Sequence, residues 1–237
     1  MRKTHVTAIL VVHDGATWLP EVVAALASQT RSIDKTIAID TGSQDSSVKL
    51  LYGARISFTT IDRGDGLGTA VSVAVNQLSK SINPDVDEWL WLIHDDCAPS
   101  PNALEELLAA VEDRPSVGMV GPKIIGWNNR DHLLETGISI ASQGTRWTGM
   151  ESDEFDQGQH DGIKEVLSVS TAGALIRRDV YEELGGFDEN LAIFRDDVDF
   201  GWRIRMAGHG VLVTTDAVAR HAQAAFNERR QVDVDEA

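Results

Sequence analysis

A histidine and two carboxylates, His94-Asp95-Asp96, follow directly on five large apolar residues, Trp89-Leu90-Trp91-Leu92-Ile93. Adjacent carboxylates at the end of a buried segment are costly unless a cation meets them, so they point to a divalent metal ion carrying a charged substrate. The rival account is a solvated turn that caps the next helix. A second acidic pair, Asp196-Asp197, stands at an expected helix start. The helix dipole favours carboxylates there whether or not they do chemistry. Asp40 precedes a Thr41-Gly42-Ser43 turn. An acid so placed can accept hydrogen bonds from a base or ribose while helix amides face phosphate; the same residues also make an ordinary capped turn. Arg63 opens the run Arg63-Gly64-Asp65-Gly66-Leu67-Gly68 and is available for a phosphate. That run is not a dinucleotide loop, because Val71 occupies the third glycine position.

These residues need a scaffold. The apolar run 89–93 reads as a strand buried on both faces, as in a parallel sheet, and Pro99 and Pro101 stop it. Its acids then lie at the carboxyl edge of the sheet, where open α/β folds bind ligands. Further strands are expected at 6–12, 35–39, 56–61, 117–120, 211–213 and 218–221, with a turn at Gly121-Pro122-Lys123. Helices are expected at 17–27 with Thr17 as N-cap, and at 69–80, 102–112, 178–184 and 195–207, with a polar loop at 81–87. Asp199 and Arg203, one turn apart, should pair. The alternation of strand and helix predicts a single α/β domain, a mainly parallel twisted sheet flanked by helices. Residues 126–162 interrupt it with Gly, Ser, Asp and Gln, a short strand near 138–140, and Trp127, His132, Arg146, Trp147 and His160. A loop-rich stretch of this length is usually functional or mobile. Strand character returns at 166–170 and 172–176.

At 237 residues and 42% hydrophobic content, the chain can bury one sizeable core. Its 37 Asp and Glu against 21 Lys and Arg give a formal charge of −16, which argues against nucleic acid or an anionic membrane as partner. A nucleotide would need a metal ion, arginines or helix N-termini. The single cysteine, Cys97, excludes an intrachain disulfide framework and reads as a packed small residue at a strand end. The basic start, Met1-Arg2-Lys3, leads into an apolar run that ends at His13-Asp14, a first strand and not a signal peptide. No run approaches the ~18–20 apolar residues of a membrane span, so a cytoplasmic location is expected.

Taken in order, several motifs resemble a family 2 glycosyltransferase of the GT-A fold over residues 6–221. They are residues 11–15 with Ser28-Gln29-Thr30, Asp40-Thr41-Gly42-Ser43, His94-Asp95-Asp96, residues 171–178, Gly185-Gly186-Phe187-Asp188, and Asp196-Asp197-Val198-Asp199 with Trp202-Arg203. The rhamnosyl- and galactofuranosyl-transferase-like bacterial members are the most similar. The resemblance implies one GT-A domain over 1–225, with a nucleotide-sugar-binding part at 1–123, a small antiparallel acceptor-side part at 124–225 and a charged tail at 226–237.

It also implies roles. His13, Asp14, Asp40, Arg63, His94 and Asp95 would serve the donor, with Asp40 on the nucleobase or ribose. His94-Asp95-Asp96 would occupy the Asp-x-Asp motif, whose last acid, Asp96, holds Mg2+ or Mn2+ against the diphosphate, with Asp95 the other candidate ligand. His94 departs from the usual Asp; since a hard ion prefers oxygen, it is expected on sugar or ribose. His221 either completes the metal shell or is a capped edge histidine. Asp197 would be the general base, with Asp196 as neighbour or sugar contact. The implied reaction is metal-dependent inverting transfer from a UDP- or dTDP-sugar to a hydroxyl of a glycan or lipid-linked acceptor, in cell-surface polysaccharide synthesis. It would run in the cytoplasm, at the inner face of the membrane if a partner or further segment holds it there. The alternative is a non-catalytic sugar-nucleotide-binding or scaffolding domain of a larger membrane-associated protein. A nucleotidylyltransferase fails, because the first strand ends in His13-Asp14-Gly15 instead of a glycine-rich loop containing arginine.

Overall fold

A computed structural model describes residues 3–79, 85–151, 153–189, 191 and 195–225; the tail expected at 226–237 and part of the polar loop at 81–87 lie outside them. The first half alternates β1 (Lys3–Val12), α1 (Leu19–Ala27), β2 (Lys35–Asp40), α2 (Ser47–Ala54), β3 (Ser57–Thr60), α3 (Leu67–Asn76), β4 (Val86–His94), β5 (Cys97–Pro99), α4 (Ala103–Val111) and β6 (Val117–Gly126). Four short strands follow, β7 (Leu133–Glu135), β8 (Ser139–Ile140), β9 (Arg146–Trp147) and β10 (Ile163–Glu165). The chain closes with β11 (Leu175–Arg177), α5 (Arg178–Glu183), α6 (Asp196–Met206) and β12 (Gly210–His221).

The main sheet runs β10-β12-β6-β11-β4-β1-β2-β3, with β5 on β12 and β7 on β6; β8 and β9 form a separate antiparallel hairpin. Pairings β4-β1, β1-β2, β2-β3 and β6-β12 are parallel, while β11 enters antiparallel between β4 and β6. Strand β4 explains why its sequence is apolar throughout. Trp89, Trp91 and Ile93 pack with α1 and α4 residues such as Leu19, Leu104 and Leu107 on one face. Leu90 and Leu92 pack with Val71, Phe200 and Ile204 of α3 and α6 on the other. Each large aliphatic side chain buried there contributes ~1.5–3 kcal/mol relative to exposure.

The structure departs from the sequence expectation in five places. Gly121-Pro122-Lys123 is no turn: β6 continues through it beside β12, with Val213 opposite Gly121 and Thr214 opposite Pro122. Gly121 is needed there because a Cβ would run into the Val169 side chain. The strands expected at 211–213 and 218–221 are one strand, β12, with a register shift between Thr214 and Val218. Residues 166–170 hold a single bridge, Ser168 to Ile138, and the strand expected at 172–176 is β11, starting only after the left-handed Gly173 (φ 103°). Pro99 closes a strand of its own, because β5 pairs with the end of β12. Helix α1 starts after Trp18, with Pro20 in its first turn, where the missing N–H costs nothing; Thr17 does not cap it.

Candidate active site

Strand β4 ends at His94, the chain turns through Asp95-Asp96, and β5 pairs back antiparallel on β12 with Cys97 opposite His221. This pairing is what sets His221, far along the chain, beside Asp96. The His221 Nε2 lies 3.2 Å from Asp96 Oδ1, while the Ala224 amide donates to Asp96 Oδ2 at 2.8 Å and the Ala222 amide to its carbonyl at 3.0 Å. The His94 and His221 rings meet edge-on at 5.9 Å. Ligand atoms of His94, Asp96 and His221 all lie within 4.8 Å of one another, the one such cluster of three among the described residues. Burial alone would push the Asp96 carboxyl up; the charge and hydrogen bond of His221, with His94 beyond, outweigh it and hold Asp96 well below the usual carboxylate range. A preformed anion between two imidazoles fits a divalent cation. His94, expected on the donor, thus stands in the same cluster as Asp96. Cys97 is fully buried, and burial followed by the Asp96 charge pushes its thiol up, which leaves it inert as a nucleophile.

The residues expected to serve the donor converge on the same sheet edge, but several bind one another. Asp40 is fully buried; its Oδ1 accepts from the Ser43 amide at 3.3 Å, and its Oδ2 has no partner among the described residues. An unpaired buried carboxylate oxygen is costly and calls for a partner. His13 Nδ1 contacts Thr41 Oγ1 at 2.7 Å. Asp95, 1% exposed, accepts the His13 amide at 2.7 Å and lies under Gly15, where a Cβ would overlap its carboxylate. Its visible work is to hold the loop after β1. Asp14, in the left-handed region (φ 47°), accepts the Gln44 and Asp45 amides and pairs with Arg63 at 2.7 Å. Arg63, expected on a phosphate, is in this structure engaged by Asp14 and the Gly42 carbonyl.

Helix α6 begins at Asp196, directly after Arg195, whose left-handed backbone (φ 84°) sets the entry angle. Strain at such a residue costs on the order of 1–3 kcal/mol and typically sits at working sites. The two acids then face different ways. Asp196 lies toward the metal-side cluster: Thr171 Oγ1 is 3.5 Å from Asp196 Oδ2 and 3.2 Å from His94 Nε2. Burial first, then the neighbouring Asp197, pushes the Asp196 carboxyl up to about 6. Asp197, 8% exposed, lies toward the segment 126–162, with its Oδ2 paired to Arg146 Nε at 2.9 Å. Arg146 also pairs with Glu135 at 2.5 Å, and Glu135 accepts the Ser170 amide at 2.9 Å. The expected Asp199–Arg203 pair is present at 2.6 Å. Sequence reasoning missed Thr171 and Glu135 as site residues. A lone carboxylate after Leu133-Leu134 was the available signal for Glu135.

A cleft of about 380 Å³ opens behind the hairpin, lined by Ile138, Trp147, Glu165 and Arg205 among others; neither the cluster residues nor Asp196 and Asp197 line it. The candidate residues converge instead on the open sheet edge, where the parallel half of the sheet meets a mixed half with an acidic helix start. That is the GT-A architecture, and solved structures agree. GalNAc-T7 with UDP, GalNAc and Mn2+ superposes with TM-score 0.70 at 16% identity over 92% of this chain and 43% of that one. A Pyrobaculum calidifontis mannosyltransferase with GDP-Man and Mn2+ gives 0.63 at 17% identity over 92% and 56%.

The chain belongs to the family described as "Glycosyltransferase like family 2", whose model matches residues 7–232. It is 27% identical to an O-antigen chain rhamnosyltransferase of Salmonella typhimurium over 92% of this chain and 66% of that protein. It is 24% identical to an N-acetylglucosaminyl-diphospho-decaprenol L-rhamnosyltransferase of Mycobacterium tuberculosis over 91% and 75%, and to a galactofuranosyltransferase of Mycolicibacterium smegmatis over 86% and 66%. The chain therefore spans about two thirds to three quarters of the length of these curated relatives.

Proposed function

We propose that the protein transfers a sugar, with inversion, from a nucleoside diphosphate to a hydroxyl of a glycan or lipid-linked acceptor during cell-surface polysaccharide synthesis. Rhamnose from a dTDP donor is the first candidate, because two of the relatives are named rhamnosyltransferases. The observation that carries the reading is the pair of acidic sites on one sheet edge, joined by Thr171, which touches both His94 and Asp196. His94, Asp96 and His221 would hold the ion. Two imidazoles among three ligands favour Mn2+ over Mg2+, which takes oxygen ligands and gives up its waters reluctantly. When bound, such a cation stabilises charge on the departing diphosphate.

The protein groups then divide the work. The free Asp40 oxygen accepts from the base or ribose, and the loop held by Asp14, Arg63 and Asp95 shapes the nucleotide side. Asp196, on the metal side, meets a hydroxyl of the donor sugar. Asp197, on the acceptor side, accepts the proton of the attacking hydroxyl as the new C–O bond forms and the bond electrons of the old one pass to the diphosphate. The cytoplasmic face of the membrane is where a lipid-linked acceptor would meet a cytoplasmic donor. No helix among the described residues is long and apolar enough to cross a membrane, so attachment would need another segment or partner.

A thermal-shift screen of UDP- and dTDP-sugars with Mn2+, Mg2+ or EDTA tests this reading. A donor at about 100 times its Kd stabilises the fold by ~2.7 kcal/mol. The expected outcome is a rise with Mn2+ and dTDP-rhamnose that EDTA and Asp96→Ala both abolish. Equal stabilisation in EDTA would refute the metal role, and donor binding without turnover across an acceptor panel would favour the scaffolding alternative.

A further inference from the structure

Around Asp197, the side chains of Arg146 and Glu135 form a network to which the glycosyl-transfer chemistry outlined above gives no role. Arg146, on β9, places Nε 2.9 Å from Asp197 and a terminal nitrogen 2.5 Å from Glu135. Glu135 is 5% exposed and is anchored on its other oxygen by the Ser170 amide. Ser168 donates its hydroxyl to the Asp197 carbonyl, fixing the backbone of the same residue. One guanidinium thus bridges two carboxylates from different elements, and Asp197 next to Asp196 would otherwise face a like charge unopposed.

We propose that Arg146, aimed by Glu135, is a positioning residue for Asp197: it fixes the rotamer of that carboxylate and sets a positive charge against it. This rests on the reading of Asp197 as the base. The bidentate fork of arginine suits the task, since it can face two carboxylates at fixed angles where an ammonium offers only a point charge. Arg146 reaches the site from the β8–β9 hairpin, pairing Ile140 with Arg146 and Ser139 with Trp147. The hairpin and the start of α6 are thus joined through the Arg146–Asp197 pair. Burial pushes the Glu135 carboxyl up and Arg146 pulls it back, with the upward push prevailing.

The charged groups around the acid pair are Arg146 from β9, Glu135 from β7, and His94 of β4 through Thr171; Asp199 on α6 is occupied by Arg203. Their arrangement predicts opposite effects from two substitutions. Arg146→Gln removes the only cation of the network, so the Asp196–Asp197 pair should titrate at a pH higher by about one unit or more. Glu135→Gln removes a competing anion and leaves the guanidinium to Asp197, so the pair should titrate lower. Arg146→Lys keeps the charge and should stay near wild type.

Carboxyl 13C NMR of the full chain labelled at aspartate reads these midpoints, with the pair assigned by its loss in Asp196→Asn and Asp197→Asn. Upward movement in Arg146→Gln with downward movement in Glu135→Gln is the expected result, together with a fall in kcat at unchanged donor KM in Arg146→Gln that Arg146→Lys restores, which a merely structural network would not show. Unmoved midpoints overturn the proposal. If Arg146→Gln does not fold, Glu135→Gln and Arg146→Lys decide it alone, and an upward or absent shift in Glu135→Gln overturns it. The base assignment fails separately: an Asp197→Asn protein that transfers normally refutes that assignment, whereas an inactive Asp197→Asn with unmoved midpoints refutes only the role of Arg146.

Discussion

Asp196 and Asp197 are neighbours in sequence with different surroundings, and their separation is the central residue-scale fact. Asp196 has its carboxyl pushed up to about 6, by burial and then by Asp197. A folded-state value above the unfolded one means that this group stabilises the fold at low pH, and that its contribution is lost as pH rises from about 4 through about 6. At pH 8 the ionised, buried Asp196 is a burden. Asp196→Asn should therefore be more stable than wild type at pH 8 by roughly 1–3 kcal/mol, the gain shrinking toward pH 4. Urea unfolding at both pH values checks it. An absent gain at pH 8 would mean that the Asp196 charge is already neutralised, contrary to its contacts. Gaining stability while losing activity is the usual signature of a working site.

At the scale of elements, the loop after β1 is built on one close approach. Gly15 sits where any Cβ would overlap the Asp95 carboxylate, which in turn holds the His13 amide. Gly15→Ala should cost ~1–3 kcal/mol from overpacking. Asp95→Ala should cost a similar ~1–3 kcal/mol by orphaning a buried amide. In the double variant the overlap with the carboxylate has gone and only the 2.7 Å approach to the Cβ at position 95 remains, so the double variant should cost less than the sum of the two; strict additivity in denaturant melts would contradict the packing account. This contact also shows what the sequence leaves illegible. Runs such as 6–12 and 89–93 make β1 and β4 readable, because a strand buried on both faces must be apolar at every position. Gly121-Pro122 spells a turn by local propensity and becomes strand because β12 lies beside it and Val169 leaves no room for a Cβ. Asp95 and Arg63 look like ligand contacts by type, yet here they bind a loop amide and Asp14, partners that only the fold brings near.

For the whole molecule, the formal charge of −16 raises the question of how so acidic a chain receives a nucleoside diphosphate. The answer we propose is local: His94, Asp96 and His221 would hold a cation, the Asp40 oxygen left unpaired among the described residues would meet the nucleoside, and a separate acid pair would face the other side of the sugar. Asp96 and the Asp196-Asp197 pair were legible from acids at element ends. The joining of His94 and His221 was not, since it depends on β5 folding back on β12, and neither was the Glu135–Arg146 support, whose partners lie 51 and 11 residues from Arg146. With Mn2+ and a saturating donor identified by the thermal screen, the transfer rate of Asp197→Asn should drop by about 10²–10⁴-fold while donor affinity holds within about twofold. A wild-type rate in that variant would contradict the account.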